Sequence, residues 1–203
     1  MFYETAKGSP LSPDPFKSIV VPRPIGWIST VDAHGKVNLA PFSFYNGVSE
    51  TPPMVMFSAG GSYGSSPAKH SLINARETGE FVVNLVSEKL KEAMNATAAM
   101  VEMGVDEMKL AGLEPAPCRL VKAPRVAASP VALECKVWRI VDLPGDGSGV
   151  AYAVVIGRVL GIHIDDAIIK DGRIDTLAFK PVGRLGYSEY TTVDNVWRMR
   201  RPD

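Results

Sequence analysis

Two neighbouring segments, VPRPIGWIST at residues 21–30 and NLAPFSFYN at residues 38–46, limit what this chain can fold into more than any other feature. Pro22 and Pro24 each fix φ and lack an amide donor, so Arg23 is held extended between two rigid neighbours. A proline on each side excludes a central strand position and predicts a sheet edge or a strand start. The segments therefore predict two strands whose polar residues lie where a flat aromatic ligand would need them.

Turn residues join the two segments. A strand is predicted over residues 25–30, and the turn lies at residues 32–35, where Gly35 can take φ > 0. The chain then returns through residues 37–40. This pattern predicts an antiparallel hairpin with hydroxyls and an amide near its ends.

Length and charge narrow the class of protein. The 203 residues predict one domain over residues 1–203, which can bury roughly 70 per cent of its unfolded surface. The 22 basic and 22 acidic residues balance, which argues against nucleic acid as a partner. The N-terminus has no basic start before an apolar core, and no run reaches the roughly 18 apolar residues of a membrane span. We therefore expect a cytoplasmic protein that binds neither nucleic acid nor membrane.

The two cysteines predict neither a disulfide framework nor a metal centre. Cys118 and Cys135 form no CxxC pair and have no His or further Cys at metal-ligand spacing. Cys135 lies in an alternating strand pattern, where a buried and inert thiol is the usual state. No metal ligand is predicted.

The first half of the chain predicts short strands separated by a brief helix. Residues 54–58 form an apolar run typical of a strand buried on both faces, and a Gly and Ser loop is expected over residues 59–66. A short helix is predicted over residues 69–78, with Gly79 suited to the left-handed C′ position. Residues 80–86 are rich in β-forming residues and predict another strand.

The middle of the chain predicts a loop-rich excursion followed by a strand. Ser87 is expected to cap a helix, and Asp106 a shorter one within the irregular residues 100–130. Period-two alternation from Val131 predicts a half-buried antiparallel strand. The phase of this alternation slips near residues 139–140, which indicates a bulge.

The number and order of the strands indicate the fold class. After a turn at residues 144–149, a long strand is predicted over residues 150–164, where Gly157 and Gly161 suit a barrel corner or a close backbone approach. At least six strands, mostly in hairpin order, favour a mainly β antiparallel barrel with inserted helices over a doubly wound parallel sheet.

One short motif matches a hydrolase signature. Residues 60–64 fit GxSxG after a strand, which would make Ser62 a nucleophile at a strand-to-helix elbow. Such an elbow turns at once into a helix, whereas Ser65, Ser66 and Pro67 intervene here. A flexible surface loop is the simpler interpretation. Neither a Walker A sequence nor a GxGxxG loop is present.

The start of the predicted helix is a candidate anion site. Lys69 supplies charge, Ser71 supplies a hydroxyl, and the first helical turn supplies free amide groups, a combination that suits a phosphate monoester. His70 lies between them. An ordinary solvated helix start with a capping hydroxyl explains the same residues, and both interpretations stay open.

Other isolated residues have simple structural interpretations. His34 and His163 are each expected to be a turn, surface or satisfied strand residue. Trp27 and Phe44 suit either a bound ring or the core, which is the default for aromatic residues on strands.

Taken together, several segments resemble the flavin reductase-like family of FMN-binding split barrels. They are the two strand segments above, the latter continued to FS at residues 57–58, the AKHS helix start, ETGEFVVNLV, and SPVALEC at residues 129–135. The resemblance covers residues 15–190. It implies a six-stranded antiparallel split barrel of Greek-key type, usually a homodimer, that binds FMN, or alternatively FAD, at the dimer interface.

The resemblance also implies cofactor-binding residues but no catalytic side chain. In the family, the strand matching residues 23–30 and the segment matching residues 38–43 line the flavin, and the lysine-containing helix start binds its phosphate. The residues expected at the ring, the ribityl group and the phosphate are Arg23, Pro24, Ile25, Ser29, Thr30, Asn38, Ala40, Pro41, Phe42, Ser43, Lys69 and Ser71. This donor set suits the ligand, because a dianionic phosphate needs a cation with hydroxyl and amide donors.

The chain departs from the family pattern at two places. Relatives commonly carry Asp and then Thr or Ser after the lysine, whereas His70 stands here, so less negative charge lies beside the phosphate. The segment RLGYSEY, residues 184–190, lacks the usual second glycine, which leaves Arg184, Tyr187 and Tyr190 as secondary candidates near the flavin.

The activity implied is that of an NAD(P)H-dependent flavin reductase. Hydride would pass from NADH or NADPH to flavin N5, and electrons would pass on to free flavin, a monooxygenase or other acceptor partner, or a small substrate. Because the cofactor supplies the chemistry, neither a catalytic triad nor paired carboxylates are expected. A non-enzymatic FMN-binding electron carrier of the same fold is the alternative.

Overall fold

A computed structural model of the chain describes residues 1–61, 66, 68–145, 147 and 150–202. Ser62 of the GxSxG motif lies outside the described residues, as do parts of the predicted loop at residues 59–66 and of the predicted turn at residues 144–149. The structure therefore does not bear on the predicted hydrolase nucleophile.

The described residues form mostly strands. The strands are β1 Arg23–Pro24, β2 Gly26–Val31, β3 Val37–Phe42, β4 Tyr45–Glu50, β5 Pro53–Gly60, β6 Glu80–Leu85, β7 Pro115–Ala116, β8 Arg125–Val126, β9 Val131–Asp142, β10 Tyr152–Ile164, β11 Ile169–Lys170, β12 Arg173–Ile174, β13 Val182–Arg184 and β14 Tyr190–Thr192. The α-helices are α1 Phe16–Ile19, α2 His70–Thr78, α3 Lys91–Ala96, α4 Glu107–Leu110 and α5 Thr176–Phe179. Single 3₁₀ turns lie at Thr5–Lys7, Glu88–Leu90 and Asp166–Ile168.

A curled antiparallel sheet forms the body of the protein. Its seven strands follow the order β3-β2-β6-β9-β10-β5-β4. The two edge strands β3 and β4 are consecutive in the chain, so the sheet must curl to bring its edges together. At this junction Tyr45 packs on Gly26, where a Cβ atom would lie 2.7 Å from the Tyr45 ring. The predicted mainly β antiparallel barrel is confirmed, with seven strands in its sheet rather than six because β4 adds to the β5 edge.

The predicted hairpin is also confirmed. Strands β2 and β3 pair from Gly26 opposite Phe42 to Val31 opposite Val37. Between them the Asp32 amide donates to the Lys36 carbonyl at 3.0 Å, and Gly35 takes a φ of 81°. The turn therefore sets the register, as the spacing of turn residues predicts.

Strand β5 was predicted to be buried on both faces, and only one of its faces is buried. Val55, Phe57 and Ala59 are buried in the core, whereas Met56 and Ser58 between them are only partly buried. The second face is partly open because it lines a groove described below. Strand β5 also continues to Gly60, into the predicted loop.

The long strands β9 and β10 agree with the predicted pattern and add detail. Ile156 pairs with Arg139 and Gly157 with Val137, so Trp138 is the extra residue of a bulge, one residue before the predicted position. Val131, Ala132, Glu134 and Cys135 are all buried, so the start of β9 is covered on both faces rather than half-buried. The reason is the loop-rich segment before β9, whose apolar side chains pack on Ala132.

The predicted end of helix α2 and the predicted cap of helix α4 are confirmed, whereas the predicted capping by Ser87 is wrong. Helix α2 ends at Gly79, whose φ of 70° and ψ of 19° are left-handed. The Asp106 carboxylate caps α4 by accepting the amides of Met108 and Lys109 at 3.0 and 3.3 Å. Ser87 makes no side-chain cap hydrogen bond, and its backbone instead bridges to Pro181.

The core divides into clusters on the two sides of the sheet. One contains Phe57 and Phe81, whose ring centroids lie 5.2 Å apart, and Gly157 approaches Phe81 so closely that a Cβ would lie 2.5 Å from the ring. Another contains Trp27, which is fully buried and donates from Nε1 to Thr97 Oγ1 at 2.8 Å. Trp27 is therefore a core residue. Among the described residues, no helix is long and apolar enough to cross a membrane.

Candidate functional site

A small cavity of about 240 Å³ lies between strand β3 and the start of helix α2, and we call it the edge cavity. Strand β3 is an edge strand, so its outer side is open to α2, which packs against both β2 and β3. The edge cavity brings together six of the predicted site residues: Asn38, Ala40, Pro41, Phe42, Lys69 and Ser71. They come from two segments about 30 residues apart in sequence, so the fold rather than local sequence creates the cavity.

A buried hydrogen-bonded chain forms one wall of the edge cavity. The Leu39 amide donates to Glu107 Oε2 at 2.9 Å, which satisfies a backbone donor on the open side of β3. When the Asn38 amide nitrogen donates to Glu107 Oε1 (3.2 Å), its oxygen accepts from Ser71 Oγ at 2.8 Å. In this arrangement the Ser71 hydroxyl proton is used by Asn38, so Ser71 presents an oxygen lone pair to a ligand.

Burial shifts the pKa values of three titratable groups that line the edge cavity. Burial lowers the pKa of Lys69 from its ordinary value. Burial, and next the charge of Lys69, lower the pKa of His70, with Glu102 opposing them, so the imidazole is neutral at neutral pH. Burial raises the pKa of the Glu107 carboxyl. Lys69 therefore supplies the cationic side chain of the cavity, and Glu107 supplies a carboxyl whose ionised form burial disfavours.

A larger groove of about 870 Å³ adjoins the same end of β3, and we call it the apolar groove. Three more predicted site residues line it, Arg23, Pro24 and Ser43. Ser43 directly follows Phe42 of the edge cavity, so one turn of chain borders both spaces. The other lining residues are mainly apolar or aromatic and include Phe16, Ile19, Phe44, Tyr45, Met56, Tyr152 and Val154. A groove of this kind suits a flat aromatic ring.

Arg23 is a buried clamp in the wall of the apolar groove. It is only 6% exposed, and burial lowers the pKa of its guanidinium, with the charge of Arg184 adding to the effect. Its Nε lies 3.4 Å from Ser43 Oγ. Its other donors go to backbone carbonyl oxygens of Lys17, of Val20 at 2.6 Å and of Leu185 at 2.8 Å. Arg23 thus ties three chain segments together, and its predicted contact with the ring stays a prediction.

Three predicted site residues line neither space. Ile25 lies in the core. Ser29 Oγ donates to the Pro124 carbonyl at 2.5 Å, and Thr30 Oγ1 accepts from Asn74 Nδ2 at 3.0 Å. Both hydroxyl residues are fully buried, Ser29 beneath the segment at Pro124 and Thr30 beneath Asn74 of helix α2. The geometry gives no support to a direct ligand contact by these three side chains.

Sequence reasoning missed three residues of the edge cavity, which are Thr97, Ala98 and Glu107. Asp106 signalled the cap of α4 and so placed Glu107 in its first turn, but nothing local indicated that this carboxyl reaches Leu39, 68 residues away. Thr97 carries no motif at all. Long-range packing alone brings these residues to the site.

The secondary candidates Arg184, Tyr187 and Tyr190 line neither the edge cavity nor the apolar groove, although Arg184 pairs with Arg23 across β1 and β13. The Arg184 guanidinium hydrogen bonds to the Tyr190 hydroxyl and the Tyr187 carbonyl, and it stacks 4.3 Å from the centroid of the Tyr190 ring. Arg184 and Tyr190 line a different cavity of about 470 Å³, together with Lys91 and Asn95. Their predicted place near a flavin stays a prediction.

Two residues on the long strands behave as predicted. Cys135 is fully buried, and burial raises the pKa of its thiol. His163 is a satisfied strand residue, with Nε2 2.6 Å from Glu134 Oε1. Cys118, Glu134 and His163 form the one cluster of three potential metal ligands found in the described part of the chain, and their ligand atoms lie within 4.8 Å of one another. The 2.6 Å separation is that of a direct hydrogen bond between His163 and Glu134.

The whole-chain comparison decides the family. The sequence matches the flavin reductase like domain over residues 18–181. The chain belongs to the flavin reductase like family. An uncharacterized protein of Halalkalibacterium halodurans is 38% identical over 183 residues, which cover 90% of this chain and 87% of that protein.

Solved structures of similar proteins agree with this family. Nitrilotriacetate monooxygenase component B of Bacillus cereus superposes with a TM-score of 0.87 at 29% identity, covering 98% of each chain. A Shewanella frigidimarina protein assigned to the flavin reductases with a split barrel domain superposes with a TM-score of 0.83 at 24% identity, covering 100% of each chain. The curled sheet described above is therefore the split barrel of the flavin reductase like family.

Proposed function

We propose that this member of the flavin reductase like family is an FMN-dependent oxidoreductase that takes hydride from NADH or NADPH and passes electrons to an acceptor. The observation that carries the proposal is the convergence of Lys69, Ser71 and Asn38 in the edge cavity, beside the apolar groove. The two spaces offer the polar and apolar environments that the two ends of FMN require.

The residues of the edge cavity fit the polar end of FMN. Lys69 stands at the start of α2, where a cation and the first-turn amides favour a phosphate group. Ser71 presents an acceptor oxygen, so it suits a ribityl hydroxyl better than the phosphate oxygen predicted for it. Glu107 orients Asn38 and, through it, Ser71. We assign these four residues to the phosphate and ribityl part of the cofactor.

The apolar groove fits the ring end of FMN. Pro24 and Ser43 line it, and Phe44 and Tyr152 lie beside them with ring centroids 6.4 Å apart. FMN, when bound, supplies the hydride-accepting atom, so the chain has to bind and orient the ring and exclude water from one face. Arg23 holds Ser43 and places a fixed positive charge at the groove wall, where it would stabilise negative charge on a reduced ring.

The proposal includes a homodimer and an acceptor partner. Large apolar side chains are exposed at the apolar groove, where Phe16 is 56% and Ile19 is 70% exposed. Outside the groove, Trp138 on β9 is 63% exposed. A second copy of the chain would cover such surfaces. The solved Bacillus cereus relative is a component of a monooxygenase, which makes an oxygenase the first acceptor to test. Light scattering after gel filtration measures the mass, and a monomer at working concentration would remove the dimer from the proposal.

The deciding experiment is a visible absorbance titration of the purified protein with FMN, FAD and riboflavin, followed by anaerobic addition of NADH or NADPH. A bound flavin whose visible band bleaches with a nicotinamide supports the proposed activity. A bound flavin that does not bleach indicates an electron carrier of the same fold. No flavin binding under any of these conditions would refute the proposed function.

A further inference from the structure

A separate cavity of about 580 Å³ lies between the β9–β10 strand pair and the loop of residues 119–130, and we call it the loop cavity. Its volume is within the range of small-molecule sites. It shares no lining residue with the edge cavity or with the apolar groove. A ligand in the loop cavity would therefore be distinct from the proposed cofactor.

The acceptor groups of the loop cavity already have donors. Glu134 is 1% exposed, and its carboxylate accepts the amides of Arg119, Leu120 and Val121 at 2.9, 2.6 and 3.2 Å as well as the His163 bond. Burial by itself would raise the pKa of the Glu134 carboxyl, but these hydrogen bonds outweigh it and lower the pKa. At the rim, the Asp165 carboxylate accepts the Ala167 amide at 2.9 Å. The acidic groups are thus engaged in holding the loop and the following 3₁₀ turn.

The cationic donors of the loop cavity are not engaged in the same way. Arg119 and Arg125 both line it. Within the described ranges, the salt bridges include neither residue, and Nε of Arg125 is buried without a hydrogen-bond partner. A buried N–H group without an acceptor is unfavourable, so a ligand that supplies an acceptor to Arg125 Nε would be favoured here. Two guanidinium groups in one cavity suit an anion with two or more oxygens.

Apolar side chains also line the loop cavity. Leu120, Ile162 and Ile164 line it, and they are 56%, 56% and 42% exposed. Leu120 lies over Gly161, where a Cβ would come within 3.3 Å of its Cδ1. Exposed aliphatic side chains beside paired guanidinium groups favour a ligand that has an apolar body next to its charge.

We propose that the loop cavity is a second ligand site, which binds a small organic anion through Arg119 and Arg125 and packs its apolar body against Leu120 and Ile162. The anionic group is a carboxylate or a phosphate ester, since both present oxygens to a guanidinium fork. A cation is disfavoured in the same space, because the two guanidinium charges would repel it and Glu134 is already bound by four donors.

The test is calorimetric titration of the FMN-saturated protein with benzoate, phenyl phosphate, inorganic phosphate and uncharged benzamide. Benzoate or phenyl phosphate should bind, and benzamide should not. Whichever of the two binds more tightly identifies the charged group, and weaker binding of inorganic phosphate supports the contribution of the apolar wall. Equal binding of benzamide, or no binding of any anion, overturns the proposal.

Variants separate this site from the cofactor site. Arg125→Gln and the more exposed Arg119→Gln should each weaken the better probe by roughly ten- to a hundred-fold, as for loss of a charged hydrogen bond. Arg158→Gln is the matched control, because Arg158 is an exposed arginine on β10 outside the cavity and its loss changes the net charge equally. FMN affinity should be unchanged in all three variants. Equal loss of probe binding in the control, or loss of FMN binding in Arg119→Gln, would overturn a separate site.

Discussion

Lys69→Ala should weaken binding of FMN but not of riboflavin. Lys69 supplies the cationic side chain of the edge cavity, and riboflavin differs from FMN only in lacking the phosphate. A charged hydrogen bond contributes about 1.5–3 kcal/mol, but Lys69 is only partly buried, so solvent screening reduces this to about 1–2 kcal/mol. The dissociation constant for FMN should therefore rise about five- to thirty-fold.

The assay is quenching of flavin fluorescence on titration of each variant, with riboflavin and FMN measured side by side. Lys136→Ala is the control, because Lys136 is an exposed lysine on β9 that lines none of the cavities described above. The ratio of the riboflavin dissociation constant to the FMN dissociation constant should fall about five- to thirty-fold in Lys69→Ala and stay at its original value in Lys136→Ala. An unchanged ratio would exclude Lys69 from the phosphate site, and an equal loss for both flavins would mean that Lys69 acts on the fold of the cavity instead.

Three further changes test the fold that supports the site. Gly157→Ala should destabilise the protein by about 1–3 kcal/mol in urea denaturation, because its Cβ would lie 2.5 Å from the buried Phe81 ring, whereas Gly47→Ala, with nothing within 4 Å, should be close to neutral. Glu134 has a lowered pKa, so its contribution to stability is present above the ordinary carboxyl value of about 4.3 and is lost as the pH falls through the lowered value. Glu134→Gln should therefore have a lower melting temperature at neutral pH and a flatter decline as the pH falls below about 5; parallel curves would contradict this. Arg23→Lys should lose at least about 2 kcal/mol of stability in urea, because a single ammonium group cannot reach the carbonyls of Lys17 and Val20 and, on another segment, that of Leu185; full stability would show that water replaces the clamp.

The parts of the fold that local chemistry determines were predictable from the sequence. Gly35 sets the turn of the first hairpin, Gly79 ends α2 in the left-handed conformation, and Asp106 caps α4. Each of these effects depends on backbone geometry within a few residues, which sequence patterns record directly. The resemblance of whole segments then indicated the family, which the match over residues 18–181 confirms.

The parts that depend on distant partners were not predictable. Ser29 and Thr30 are predicted at the ligand, and that contact stays a prediction. Their hydroxyls bond to Pro124 and Asn74, which lie 95 and 44 residues away on segments whose proximity no local pattern reveals. Glu107 was overlooked for the same reason. Met56 was expected to be buried because its run is apolar, yet its exposure depends on how far the sheet curls at the apolar groove. Alternation along a strand assigns side chains to two faces, and only the packed fold decides what covers each face.

The Arg23 clamp builds the wall of the apolar groove from both ends of the chain. Leu185, one of its carbonyl acceptors, lies 162 residues further along the chain, so this contact closes a loop that spans most of the protein. Closing so long a loop has a large entropic cost that shorter contacts must already have offset. On the ribosome, a nascent chain contains the whole β2–β3 hairpin long before residue 185 is synthesised, but the complete Arg23 clamp requires that residue. A flavin that uses the complete wall therefore binds only after nearly the whole chain has been made.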